Sequence, residues 1–133
     1  MKKFVVLGGG FAGVEAAIQL RKQKYEVTLV SDRSYLFVYP ISIWIPTQGI
    51  SFDDSKIELA TLAKKHGFSL VQDAVQRIDT IGKKVVLGTQ VLQYDYLFLA
   101  LGMHKVRLSG DENTLSICGK PTDSVTIAHK LDA

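Results

Sequence analysis

Gly8, Gly10 and Gly13 stand in the spacing G-x-G-x-x-G, directly after the apolar run Lys3–Leu7 and at the head of the helix-like run Phe11–Lys22. In that context the spacing reads as a dinucleotide-binding turn. The first glycine permits the tight turn, the second lets a pyrophosphate approach the backbone, and the third lets helix and strand pack closely. The helix start then offers unpaired N–H groups and the positive end of its dipole to phosphate oxygens. Phe11 and Ala12 fill the positions between the glycines and join them as candidate cofactor contacts. A glycine-rich turn with no ligand is the plain alternative, and the placement between strand and helix argues against it.

In such a unit an acidic residue about twenty positions on contacts the ribose hydroxyls. Asp32 lies nineteen residues after Gly13, and Ser31 is one step nearer the strand. Side chains alternate along a strand, so only one of the two can point the usual way; both stay candidates. Arg33 suits the adenine or the phosphates, and equally suits an exposed strand end.

These residues need elements to hold them. Lys3–Leu7 reads as a buried strand, Phe11–Lys22 as a helix and Glu26–Val30 as a second buried strand, which together require parallel pairing with a right-handed crossover. Tyr35–Ile50 is aromatic and apolar, with Pro40, Pro46 and Gly49. It is too hydrophobic for disorder and reads as a loop with a short helical turn packed over a ligand. Ser55-Lys-Ile-Glu58 matches a capping box, predicting a helix over Lys56–Lys65 ended by Gly67. Phe68–Val71 is a strand. Ala74–Ile78, Lys83–Leu87 and Val91–Gln93 form a small antiparallel meander. Tyr96–Leu101 is another apolar strand, halted by Gly102, and a weak helix covers Thr122–Leu131. The fold class is therefore α/β: a Rossmann-like βαβ unit with a parallel sheet, plus a β-meander.

The chain has 133 residues, 47% hydrophobic and 22% charged, with a net charge of +3. That is enough for one domain with a core. Its basic residues are scattered, so nucleic-acid binding has no compositional support. The start Met1-Lys2-Lys3 followed by Phe4–Leu7 begins like a signal peptide, but Gly8-Gly9-Gly10 breaks the apolar run and Glu15 charges it. No stretch approaches the roughly 20 apolar residues of a spanning helix. Cys118 is the single cysteine, so no internal disulfide forms; this fits a reducing, cytoplasmic setting. His66, His104 and His129 lack metal-ligand spacing, and no metal site is expected.

Further motifs add a family resemblance. GGGFAGVEAA with EVTLVSDRSYLFVYP resembles the N-terminal FAD region of the two-dinucleotide-binding-domain flavoproteins, the pyridine nucleotide-disulfide oxidoreductase superfamily. The similarity is strongest to its sulfide:quinone oxidoreductase, flavocytochrome c sulfide dehydrogenase and type 2 NADH dehydrogenase branches. Phe37-Val-Tyr-Pro40 followed by Trp44 resembles a segment beside the flavin in the sulfide:quinone branch. Gln72–Asp79, through Val75, resembles the strand whose backbone touches the adenine. Tyr94-Asp-Tyr-Leu-Phe-Leu-Ala100-Leu101-Gly102 resembles the segment that passes the pyrophosphate and ribityl. Leu101 stands where the family usually has Thr or Ser, so a hydroxyl contact is lost there. Ser31 stands where many members carry the ribose-binding acid.

The resemblance implies FAD as the cofactor. The residues support FAD over NAD independently, because an aromatic loop and a meander replace the next helix and parallel strand of an NAD half, and an apolar loop suits a large planar ring. The resemblance also offers Cys118, in Ser116-Ile-Cys-Gly119, as a catalytic thiol for sulfide chemistry; a buried inert cysteine is the alternative.

Family members are much longer than this chain, so residues 1–133 are expected to be an N-terminal FAD-binding segment, with NAD-type and C-terminal domains elsewhere. Such a segment alone is expected to bind FAD weakly, to turn nothing over, and to self-associate through exposed apolar surface or an open sheet edge. The expected parent passes electrons through FAD to a quinone or similar acceptor, with peripheral membrane attachment. An NADH-dependent parent and a stand-alone nucleotide-binding module remain alternatives.

Overall fold

A computed structural model describes residues 2–103, 106, 109–117 and 120–132. In chain order the strands and α-helices are β1 (Lys3–Leu7), α1 (Phe11–Lys22), β2 (Glu26–Ser31), β3 (Tyr35–Phe37), β4 (Lys56–Glu58), α2 (Leu59–His66), β5 (Ser69–Gln72), β6 (Val75–Asp79), β7 (Lys84–Leu87), β8 (Val91–Gln93), β9 (Tyr96–Leu99) and α3 (Asp123–Leu131). The chain divides into two units, one of Met1–Leu36 with Glu58–Gly102, the other of Phe37–Ile57 with Met103–Ala133.

The first unit is built on a four-stranded sheet in the order β5-β2-β1-β9, every pair parallel. Parallel strands are covered on both faces, and β1 shows why its apolar run is continuous. Phe4 and Val6 pack with Val27 and Leu29 against Val14 and Ala17 of α1 and Leu59 and Ala63 of α2. Val5 and Leu7 point the other way, with Val30, against Val85 and Leu87 of the meander. The meander is antiparallel in the order β6-β7-β8. Alternation of side chains along one strand thus gives one sheet two cores. The expected α/β class, parallel sheet and meander are all present, and β1 and α1 have the expected ends.

Three expectations need correcting. The helix predicted from Lys56 begins at Leu59, because Lys56–Glu58 is extended as β4 and pairs with β3. The capping box does not form. The Ser55 hydroxyl instead donates to the carbonyl of Phe52 at 2.6 Å, and Glu58 is the N-cap without a side-chain bond. The first amide of the helix, Leu59 N, donates to Ser34 O at 2.9 Å, so a tertiary acceptor stands in for a local cap. The last apolar strand ends at Leu99 rather than Leu101. It is the end strand of its sheet, and Tyr96, Phe98 and Leu99 are exposed.

In the second unit the aromatic segment contains the expected helical turn, a 3-10 helix over Tyr39–Trp44. Phe37 is buried edge-on to Tyr39, ring centroids 4.7 Å apart, and lies 5.7 Å from Phe52. Gln48 Nε2 donates to both carboxylate oxygens of Asp132, at 2.9 and 2.8 Å.

Candidate functional site

The glycine turn joins the C-terminal end of β1 to the first turn of α1, at the edge of the sheet where ligands of open α/β folds bind. Gly8 sits at φ +114°, and a Cβ there would collide with the carbonyl oxygen of Ala100 and come within 3.0 Å of Leu101 N. A Cβ on Gly13 would run into the carbonyl oxygen of Gly8. Both glycines are therefore fixed by protein packing. The ladder supports this arrangement: Gly8 N donates to Val30 O at 2.8 Å, and Ala100 N donates to Leu7 O at 2.8 Å.

Gly10 differs from its neighbours. A Cβ placed on it meets nothing within 4 Å, and its backbone is extended, φ −83° and ψ −176°. The protein does not need glycine there for its own packing, but a pyrophosphate closing on the backbone does. Gly10 is also the N-cap of α1, with no side-chain capping bond and no acidic residue in the first turn. Exposed Phe11 and Ala12 follow it. The helix end is electrically suited to phosphate oxygens.

At the end of β2 the structure separates two residues that spacing alone leaves equivalent. Ser31 is buried, and its Oγ accepts the Arg33 amide at 3.2 Å. Asp32 turns to solvent, where its carboxylate lies 3.6 Å from Arg33 Nε. The Arg33 guanidinium is 5.7 Å from the centre of the Tyr35 ring.

Gly9 is a contributor that the fingerprint does not mark. A Cβ on it would strike Ser31 Oγ and lie 2.8 Å from Leu59 Cδ1, so the glycine turn rests directly on the end of β2 and the start of α2. The unbroken run Gly8-Gly9-Gly10 is the signal in the sequence; its tertiary cause is not local.

The structure thus brings Gly8, Gly10, Phe11, Ala12 and Gly13 together with Ala100 and Leu101, and sets Ser31 beside Gly9. Gly102 follows at φ +75°, with open space around its Cβ position. Val75 opens β6. Pro40 belongs to the second unit, exposed in the first turn of its 3-10 helix, and Trp44 is also exposed. Cys118 lies outside the described residues.

A sequence profile of the pyridine nucleotide-disulphide oxidoreductase family matches residues 2–132. The chain belongs to this family. Among curated relatives, the sulfide-quinone reductase of Aquifex aeolicus (strain VF5) is 31% identical over 122 residues, covering 88% of this chain and 28% of that protein. The type II NADH:quinone oxidoreductase of Staphylococcus aureus (strain NCTC 8325 / PS 47) is 29% identical over 108 residues, covering 76% of this chain and 26% of that protein. The X-ray structure of the Aquifex aeolicus sulfide:quinone oxidoreductase superimposes with a TM-score of 0.90 at 29% identity, over 99% of this chain and 32% of that one. The chain therefore spans about a quarter to a third of the length of these members of the pyridine nucleotide-disulphide oxidoreductase family. No helix among the described residues is long and apolar enough to cross a membrane.

Proposed function

We propose that residues 1–133 form the N-terminal FAD-binding segment of a flavin-dependent oxidoreductase of the sulfide:quinone type. The observation that carries this reading is the contrast within one turn: Gly8 and Gly13 are locked by backbone contacts, while the side-chain position of Gly10 opens onto empty space. Similarity to the Aquifex aeolicus enzyme in both sequence and fold supports the choice of branch.

On this reading the amides at the start of α1 hold the pyrophosphate, and the helix dipole offsets part of its charge. The backbone of Ala100–Gly102 lines the same ligand on the side of β9. Ser31, Asp32 and Arg33 bound the ribose and adenine, and the Val75 backbone meets the adenine edge. Pro40 is kept as a candidate flavin contact on the resemblance of Phe37-Val-Tyr-Pro40 alone. When bound, FAD supplies the redox centre that takes electrons from the donor and passes them to a quinone or similar acceptor. Cys118 is the candidate thiol for sulfide, and peripheral attachment to a membrane would bring the assembly to a lipophilic quinone.

Titration of FAD into the purified chain, followed by flavin fluorescence, tests the proposal. Gly10→Val should weaken FAD by roughly tenfold or more, since it places a branched side chain where the pyrophosphate must approach. Its thermal midpoint should fall by only a few degrees, the effect of a poorer N-cap residue. Equal affinity in the two proteins would sink the reading.

The Staphylococcus aureus relative supports a second reading, an NADH-dependent parent with the same FAD segment. Quinone reduction driven by sulfide or by NADH, assayed in a longer protein carrying this segment, separates the two.

A further inference from the structure

Asp73 follows β5 and is absent from the fingerprint, yet it has more partners than any residue of the glycine turn. Its amide donates to Ser31 O at 2.9 Å, extending the β2–β5 ladder by one bond. One carboxylate oxygen accepts Ala74 N at 2.7 Å and Gly88 N at 3.2 Å. The other accepts Thr89 N at 2.8 Å and the Thr89 hydroxyl at 2.7 Å. Gly88 N also donates to Ala74 O at 3.2 Å. A Cβ on Gly88 would lie 2.7 Å from Asp73 Oδ1, so glycine admits the carboxylate to the β7–β8 turn.

Two parts of the proposed site converge on this residue. On one side is the end of β2, with Ser31 and the Asp32–Arg33 corner. On the other is Val75, two residues along the chain. A carboxylate that accepts four donors holds its turn more firmly than neutral hydrogen bonds would. We infer that Asp73 is a positioning residue for the adenosine half of the dinucleotide: it fixes the Val75 backbone relative to the end of β2, so that the site selects a ligand carrying adenosine over one that ends at the flavin phosphate. This inference rests on the FAD reading above. It adds a specific residue that the glycine fingerprint does not mark.

The test compares the affinities of the purified chain for FAD and FMN with those of Asp73→Asn and Thr89→Val. FMN keeps the ring and one phosphate but lacks the adenosine half. Loss of a charged acceptor network should lower the FAD-to-FMN affinity ratio about tenfold in Asp73→Asn, and loss of the hydroxyl alone about threefold in Thr89→Val. FMN affinity itself should change by less than about twofold, since its contacts lie at the glycine turn. A general loosening of the fold would lower both affinities together and leave the ratio alone; that result overturns the inference. If Asp73→Asn fails to fold by circular dichroism, Thr89→Val decides, and an unchanged ratio in that folded variant overturns the inference. A parent chain that binds neither flavin overturns the FAD reading itself, and this inference with it.

Discussion

Within the fingerprint, the three glycines have different physical reasons to be glycine, and substitution should separate them. Gly8→Ala adds a methyl group at φ +114° against the Ala100 carbonyl. Strain and overpacking together should cost about 3 kcal/mol, read as a fall in the urea midpoint. Gly10→Ala meets open space and should cost no more than about 1 kcal/mol in the same experiment, the effect of a poorer N-cap residue, while weakening FAD. Asp73 gives a pH test. The Thr89 hydroxyl and amide hold its carboxyl below the ordinary value of 3.8. A carboxyl depressed in the folded state contributes stability that is fully present above its unfolded value and is lost as pH falls through the folded one. The urea midpoint should therefore decline below about pH 4, and Asp73→Asn should decline less steeply. Some acid sensitivity should persist in that variant, because Ser51 depresses Asp54 in the same sense. The glycine spacing made Gly8, Gly10 and Gly13 legible in the sequence. Gly9 and Asp73 were not, since their partners Ser31, Gly88 and Thr89 come from other parts of the chain.

Elements whose limits are set locally could be read directly. β1 and α1 are bounded by their own apolar pattern and by the glycines between them, and the structure keeps both. The start of α2 depends on β3, a distant segment, and the local capping signal lost to that pairing. This leaves a clear expectation. Glu58→Ala should shift stability by less than about 0.5 kcal/mol, because no capping bond from its side chain exists to be lost. Ser55→Ala should cost about 1 kcal/mol, through its buried hydroxyl bond to Phe52 O rather than through the helix. Denaturation of the two variants side by side distinguishes this from a capping box, which would make both costly. The orientation of Ser31 and Asp32 belongs to the same scale. Alternation showed that the two must differ, and only the contact of Ser31 with Gly9 decided which faces inward.

For the whole molecule, parallel topology followed from two apolar strands joined through a helix, but strand order needed the structure. Placing β9 at the end of its sheet leaves Phe98, Leu99 and Leu101 in solvent, and exposed apolar edges promote association. Sedimentation velocity should show concentration-dependent association of the chain, and a Leu99→Lys, Leu101→Lys double variant should stay monomeric at concentrations where the parent does not. The position of β9 also bears on the order of assembly. Gly8 leans on Ala100, ninety-two residues further along the sequence. A nascent chain that has emerged only as far as α1 displays the whole glycine fingerprint with no wall behind it. Contacts this distant in sequence form late because loop closure must come first. Nucleotide capture should therefore wait until β9 has emerged, so that a loaded flavin marks a chain whose β9 has already docked.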